Sequence, residues 1–219
     1  VRAEYLERII SLCPDCMAIE NMRSEGARLR CDSCGHQVYM NRFGFFEPEH
    51  GARHFRSIRD WNLWQCAALA GVIESRLASK PAAYLLSAPA TIKTGYGAKV
   101  PRDIGHATLR LYAGELVMEW DDEWEPVDSP DDGAAARTRA VSERAEGEPD
   151  AIKRGTRTSL RISLSQLEGV NVQNFERIEF YFERRLYRIV FDSPRQSAHL
   201  WFRAIIEMTH RVALLAVTS

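Results

Sequence analysis

Cys13-Pro14-Asp15-Cys16 and Cys31-Asp32-Ser33-Cys34 decide the fold of the first part of this chain. Fourteen residues separate the two stretches, and each places two cysteines three positions apart. A tight turn with this spacing presents two sulfur atoms, and two such turns supply the four thiolates that zinc binds as a tetrahedron. Gly35 follows the fourth cysteine and can adopt the positive φ that turns backbone amides toward the sulfurs. The spacing therefore predicts a structural zinc site with four ligands: Cys13, Cys16, Cys31 and Cys34.

Other uses of these cysteines fit the sequence less well. A redox dithiol needs one CxxC pair near a βαβ pattern, whereas this chain has two pairs in a zinc-site register. A disulfide pair requires an oxidising compartment, whereas metal-bound thiolates indicate a reducing one, so we expect a cytoplasmic protein. His36 is a further ligand candidate, but four thiolates complete the tetrahedron, and we expect a surface histidine there. Cys66 lies in an apolar run and is expected to be a buried small hydrophobe.

Residues 1–56 are predicted to form a zinc ribbon, followed by a linking helix over residues 57–80. Short alternating segments flank the cysteines, as two knuckles on hairpins require. In the helix, apolar residues recur at threes and fours and Pro81 ends the pattern, while Gln65 is expected on the solvated face. The apolar positions are Ile58, Trp61, Leu69, Val72, Ile73 and Leu77. Trp61 and Trp64 are expected to pack on the ribbon or on the next domain.

Residues 81–219 change to a period of two, which predicts antiparallel strands. The strongest alternating segments are residues 91–94, 107–112, 116–120, 159–164, 178–182 and 186–191. Ser193 and Pro194 are then expected to cap and open a last helix with an apolar stripe. Between the strands, residues 121–157 are expected to be a disordered insertion, because seven acidic and no basic residues lie in its first twelve positions. The predicted fold class is α+β.

The totals exclude several function classes. A formal net charge of −1 gives no global basic field for nucleic acid, and no run of eighteen apolar residues is present to span a bilayer. The sequence holds no Gly-x-Ser-x-Gly nucleophile motif, and the lone Gly-x-Gly at residues 95–97 lacks the third glycine of a dinucleotide loop. These residues are therefore expected to be non-catalytic.

Several strands followed by one capping C-terminal helix resemble the pleckstrin-homology and GRAM-like domains. The resemblance implies a bent antiparallel sheet closed by that helix. Lipid-binding members hold an inositol phosphate in the loop after the first strand, here within residues 93–106. The basic residues that match this region loosely are Lys93, Lys99, Arg102 and Arg110. The resemblance thus implies an anionic membrane surface as a partner.

The order of cysteines and aromatic residues over nearly the whole chain resembles the C-terminal extension of bacterial lysophosphatidic acid acyltransferases. The matching segments after the ribbon are residues 39–46, 61–65, 170–174, 179–181 and 186–188. This resemblance implies an upstream acyltransferase domain, which agrees with a first residue, Val1, that is not methionine. The family's catalytic histidine and aspartate, four residues apart, are missing: His54 comes closest, but Arg59 holds the aspartate position.

The sequence therefore predicts an accessory region of a phospholipid-synthesis enzyme, peripheral to the inner face of the membrane. The alternative is a zinc-ribbon adaptor that binds protein or RNA. Six arginines and three aromatic residues in the first sixty positions favour RNA, but six acidic residues are interleaved with them and break any continuous positive stripe. Nucleic acid is accordingly the less favoured partner.

Overall fold

A computed structural model describes residues 3–80, 82–97, 100–124 and 157–217. It contains eleven strands and two α-helices, with single 3₁₀ turns at Leu6–Arg8 and Leu164–Gln166. The ribbon carries β1 (Met22–Glu25), β2 (Arg28–Cys31), β3 (Gln37–Met40) and β4 (Phe46–His50), and α1 (Ile58–Ser79) follows. The remaining elements are β5 (Leu86–Gly95), β6 (Arg102–Leu111), β7 (Glu115–Trp124), β8 (Arg157–Ser163), β9 (Glu168–Gln173), β10 (Arg177–Phe182), β11 (Arg185–Phe191) and α2 (Ala198–Val217). The α+β prediction is confirmed.

The ribbon is a four-stranded antiparallel meander in the order β1-β2-β3-β4. Leu29 and Val38 pair across β2 and β3 and are fully buried, so the alternating residues near the cysteines form the predicted hairpins. The sequence did not predict β4, whose Phe46 is buried and whose other four residues are exposed. It is an edge strand that carries Pro48, and an edge tolerates proline because one row of its backbone groups needs no partner.

Helix α1 begins and ends as its sequence predicts. Ser57 is the N-cap: its Oγ accepts a hydrogen bond from the backbone N–H of Asp60 at 3.2 Å and donates one to the Asp60 carboxylate at 2.8 Å. Trp61, Leu69 and Ile73 are buried along one face. Trp61 packs in the ribbon core, whereas Leu69 and Ile73 pack in the core of the second sheet. The helix therefore contacts both cores.

The second sheet, which we call the half-barrel, contains seven curled antiparallel strands in the order β8-β7-β6-β5-β11-β10-β9. The long central strand β5 joins two meanders, since it pairs with β6 on one side and with β11 on the other. Every second residue of β5 from Leu86 to Thr94 is buried, which fixes the register because a one-residue slip would expose this whole row. Several strands are longer than the sequence patterns indicated: β5 begins five residues before residue 91, and β6 five before residue 107.

Helix α2 packs on the half-barrel through a stripe of small and large residues. Trp201, Ala204, Ile205 and Met208 are fully buried at the spacing of one helical face, as expected. The start of this helix differs from the prediction at Ser193 and Pro194. It begins at Ala198, because the Oγ of Ser197 accepts the Leu200 N–H at 3.0 Å and acts as the N-cap. Among the described helices, none combines the length and apolarity needed to cross a bilayer.

The predicted insertion at residues 121–157 is shorter than expected at both ends. Asp121 continues β7, which ends at Trp124, and β8 already includes Arg157. Residues 125–156 lie outside the described part of the chain. The four acidic-rich positions at the start of the segment thus belong to a strand, because pairing with β8 resumes at Trp124 opposite Arg157.

The ribbon and the half-barrel share one hydrophobic core. Leu12 and Ile19, which flank the first CxxC turn and pair with each other, are buried in the same cluster as the half-barrel strands and α2. Polar contacts cross the same boundary. Arg195 donates to the buried Glu7 carboxylate and, at 3.1 Å, to the backbone oxygen of Ser24. The two units therefore pack as one body.

Candidate metal centre and basic rim

The four cysteine sulfurs lie together, all within 4.8 Å of one another. The Sγ atoms of Cys13 and Cys34 are 3.5 Å apart, and those of Cys16 and Cys31 are 3.6 Å apart. A tetrahedron of thiolates at the usual zinc–sulfur distance of about 2.3 Å has edges of about 3.8 Å. A disulfide requires about 2.05 Å. The geometry fits a metal ion of zinc's size and excludes disulfides within this group.

The two CxxC turns have the same backbone geometry. In the first, the Cys13 N–H donates to the Ala18 oxygen at 3.0 Å, and in the second the Cys31 N–H donates to the His36 oxygen at 2.8 Å. The residue after the second cysteine of each pair has positive φ: Met17 at 57° and Gly35 at 77°. Such turns direct backbone N–H groups at sulfur, which stabilises a thiolate and its bond to a metal.

The cysteine environments differ in depth. Cys13 and Cys31 are buried, whereas Cys16 and Cys34 are exposed. Burial raises the pKa of the Cys13 thiol far above its usual range, against the hydrogen bonds from the Cys16 and Asp15 N–H groups. Burial also raises the pKa of Cys34, but the His36 N–H and the neighbouring sulfurs lower it further, so the pKa of Cys34 falls. A metal ion must displace the proton of Cys13, which makes metal binding stronger as pH rises.

Met17 offers a test of this paired geometry. A residue with a side chain pays about 1 kcal/mol to adopt left-handed backbone angles, which glycine adopts freely. Since the side chain of Met17 is 39% exposed, little packing is lost on its removal. We expect Met17→Gly to raise the free energy of unfolding by about 0.5–1 kcal/mol, measured by urea unfolding with zinc present. A matched Gly35→Ala change at φ 77° should lower it by about 1 kcal/mol. Equal effects of the two changes would contradict the shared geometry.

His36 is buried rather than at the surface, which corrects the prediction made from the sequence. It is 1% exposed, and its Nδ1–H donates to Asp15 Oδ2 at 3.0 Å. Its ring meets Trp61 edge to face at 5.5 Å and stacks on His54 at 5.7 Å. Burial lowers the pKa of His36, in opposition to the nearby Asp15 carboxylate. His36 therefore fixes the position of Asp15, which lies between the two cysteines of the first turn.

Asp15 connects the first CxxC turn to the chain after β4. Its two carboxylate oxygens accept the Ala52 and Arg53 N–H groups, each at 2.9 Å. Burial raises the pKa of Asp15, but these N–H donors together with His36 lower it by more, so the net shift is downward. Gly51 makes this contact possible, because its backbone lies against His36 and Asp15 at φ 120°. These contacts fix the first turn independently of the cysteines.

Helix α1 holds the segment before the first turn. The Trp61 indole N–H donates to the Leu12 oxygen at 3.0 Å. The Gln65 side-chain oxygen accepts the Ser11 and Leu12 N–H groups at 3.1 and 3.3 Å. Gln65 is 5% exposed, so its predicted place on the solvated face is wrong. A polar residue at this position is stable in the interior because the backbone of the ribbon satisfies its amide.

The predicted basic residues of the half-barrel divide into two places. Lys93 and Arg102 lie at the end where β5 passes into β6: Lys93 pairs with Asp103, and Arg102 with Thr94. Lys99, between them, lies outside the described residues. Arg110 is eight residues from Arg102 along β6, about 26 Å in an extended strand. It is ion-paired to Glu119 beside the Tyr84 ring, so the structure does not bring it to the others.

The structure adds Arg184 and Arg185 to the same end of the half-barrel. They follow Glu183 in the turn between β10 and β11, and β11 pairs directly with β5, with Leu186 opposite Gly95. The Arg185 guanidinium lies 4.7 Å from the centre of the Tyr96 ring. We call Lys93, Arg102, Arg184 and Arg185 the basic rim. The sequence showed the turn but could not show this neighbourhood, which depends on the pairing of the first and last strands.

The charges of the basic rim are only partly compensated. The Lys93 ammonium is 4.0 Å from the Asp103 carboxylate, which is itself exposed. Within the described part of the chain, Arg102 and Arg184 have no carboxylate partner and are exposed. Two guanidinium groups at one end of the sheet are therefore available to an anion.

No protein-family profile matches this chain. No curated protein is similar to it at a significant level either. The metal centre and the basic rim thus carry the functional argument on their own geometry.

Proposed function

We propose that this chain is a non-catalytic accessory module that docks on anionic membrane surfaces, with structural zinc holding its ribbon together. One observation carries the docking proposal: the basic rim, where two separate turns place four basic side chains at one end of the half-barrel. Guanidinium groups bind phosphate in a bidentate manner, and each basic residue near an anionic bilayer adds about 1 kcal/mol of binding.

The metal centre supports a structural role rather than catalysis. Catalytic zinc keeps one position open for water, whereas four thiolates close the coordination sphere. The four cysteines of the ribbon supply all four positions. We therefore propose that zinc stabilises the ribbon and takes no part in a reaction.

The sequence resemblance supports a bacterial phospholipid-synthesis acyltransferase as the enzyme that this module serves. A domain that acts on lipid substrates at a bilayer gains from a second contact with the same surface, because the linked contact becomes intramolecular. Reduced cysteines agree with the cytoplasmic face of the membrane as the place of docking. We propose peripheral attachment there.

Vesicle sedimentation tests the docking proposal. We expect the chain to sediment with vesicles that contain phosphatidylglycerol, less so as salt is raised, and not with pure phosphatidylcholine vesicles. The double variant Lys93→Glu, Arg102→Glu should bind at least about thirtyfold more weakly, since two contacts of about 1 kcal/mol each are lost.

A matched control makes the same change of charge elsewhere. Lys80 follows α1 and Arg161 lies on β8 near the opposite end of the half-barrel. We expect Lys80→Glu, Arg161→Glu to weaken binding much less than the change in the basic rim. If the two double variants bind alike, net charge rather than the basic rim governs binding, and the proposal is wrong.

A further inference from the structure

The turn between β3 and β4 exposes two phenylalanines. Phe43 is 69% exposed and Phe45 is 41% exposed, whereas the neighbouring Phe46 is buried in the ribbon core. Exposing a large apolar side chain to water forgoes the free energy of burying it. Together with Arg42 and Arg56, these residues form what we call the aromatic tip.

The aromatic tip is a rigid turn. The side-chain oxygen of Asn41 accepts the Phe43 and Phe45 N–H groups at 3.0 and 3.1 Å. Gly44 takes a φ of 80° between them, and its N–H donates to the Asn41 backbone oxygen at 3.0 Å. Phe45 also pairs with Ser57 at the start of α1. The turn thus presents its phenylalanines in one conformation, so that binding a partner costs little ordering entropy.

Each phenylalanine is covered by an arginine. The Arg42 guanidinium lies 4.7 Å from the Phe43 ring centre, and that of Arg56 lies 5.1 Å from the Phe45 ring centre. Glu47, the carboxylate nearest in sequence, accepts a hydrogen bond from Asn41. An aromatic ring at the tip of a turn with a cation beside it suits a bilayer interface, where rings sit among headgroups and guanidinium groups bind phosphates.

The shape of the turn favours a lipid surface over a nucleic acid strand. A strand bound by stacking needs a groove with a continuous positive track. The aromatic tip is the end of a two-stranded hairpin, and on the ribbon behind it Arg28 pairs with Glu49 and Arg30 with Asp32. These pairs leave the excess positive charge at the tip itself.

We propose that the aromatic tip inserts Phe43 and Phe45 into the headgroup layer of an anionic bilayer, with Arg42 and Arg56 on lipid phosphates. This inference rests on the proposed membrane docking, but it assigns a second contact, on the ribbon instead of the half-barrel. The tip contributes an apolar part of the binding that salt does not screen, whereas the contribution of the basic rim is electrostatic.

Phe43→Ser tests the insertion against a matched variant. Phe175 is 46% exposed in the turn between β9 and β10, at the end of the half-barrel away from the basic rim. We expect Phe43→Ser to weaken binding to phosphatidylglycerol vesicles about tenfold, at low and high salt alike, because the burial of one phenyl ring is lost. Phe175→Ser should leave the binding unchanged.

A second readout does not depend on stability. The chain is prepared with 4-fluorophenylalanine in place of Phe43, and vesicles carry a nitroxide spin label just below the headgroups. We expect the fluorine resonance at position 43 to broaden strongly on vesicle binding, and a fluorine at position 175 to stay sharp.

The outcomes separate the two proposals. Wild-type binding that weakens in the basic-rim variant, with no effect of Phe43→Ser and no fluorine broadening, overturns the insertion and leaves the docking through the half-barrel. Loss of binding in Phe43→Ser with an unaffected basic-rim variant supports the tip and overturns the role of the rim. If the wild-type chain binds neither kind of vesicle, both proposals fail.

Discussion

The Cys31→Ser chain is expected to bind no zinc and to lose the stability of its ribbon. Cys31 is fully buried, and its sulfur is 3.6 Å from that of Cys16. A serine hydroxyl does not replace a thiolate on zinc, and structural zinc contributes on the order of 10–16 kcal/mol to the folding of small zinc units. A typical domain has only about 5–15 kcal/mol in total, so we expect unfolding well below the wild-type temperature. Zinc per chain by elemental analysis and thermal unfolding by circular dichroism measure the two effects.

Cys66→Ser is the control for this change. Cys66 is the one cysteine outside the cluster, and it lies half-buried on α1. The Cys66→Ser chain should keep one zinc ion and unfold close to the wild-type temperature. A chelator should convert the wild-type chain to the behaviour of Cys31→Ser. Full zinc content and unchanged unfolding in Cys31→Ser would show that the four sulfurs do not hold a metal.

Gly51→Ala is expected to be the most damaging change outside the cysteines. A Cβ at this position would lie 2.6 Å from Asp15 Oδ2 and less than 3.0 Å from His36 Nδ1. His36 cannot move away, because its ring is enclosed by His54 and Trp61. The backbone angle, φ 120°, adds strain for any residue with a side chain. We expect a loss of about 3–5 kcal/mol in the free energy of unfolding, measured by urea unfolding.

Gly26→Ala separates the clash from the backbone strain. Gly26 also has positive φ, at 60°, but no atom lies within 4 Å of its added Cβ. We expect this change to cost about 1 kcal/mol. Gly51→Ala should also weaken zinc binding about 10–100-fold, as loss of a residue that orients a metal ligand does. Equal costs for the two glycines would mean that the Asp15–His36 contact has no part in stability.

The parts of the fold that the sequence predicted have strong local signals. The cysteine spacing predicted the four sulfurs that the structure brings together, and Ser57 with the apolar period predicted α1. The strand β4 was missed because an edge strand has one buried residue and no alternating pattern. The cap of α2 was assigned to Ser193, four residues early, since a Ser-Pro pair is a good local signal for a helix start and Ser197 is recognised only by its bond to Leu200.

The parts that the sequence missed depend on contacts between distant residues. His36 looked like a spare surface residue because its partners, Asp15 and Trp61, lie 21 and 25 positions away. Arg184 and Arg185 join Lys93 only because β11 pairs with β5. No spacing along the chain reports such a pairing.

Leu12 places the zinc supply in control of the whole chain. It precedes Cys13 directly, yet it is buried in the core of the half-barrel, where Ile19 on the other side of the turn joins it. Without metal the turn loses its geometry and withdraws both residues from that core, so we expect the half-barrel to open as well. Proteases act on such opened chains. A cell short of zinc would therefore remove this protein by degradation, and its lifetime would report the metal available when it was made.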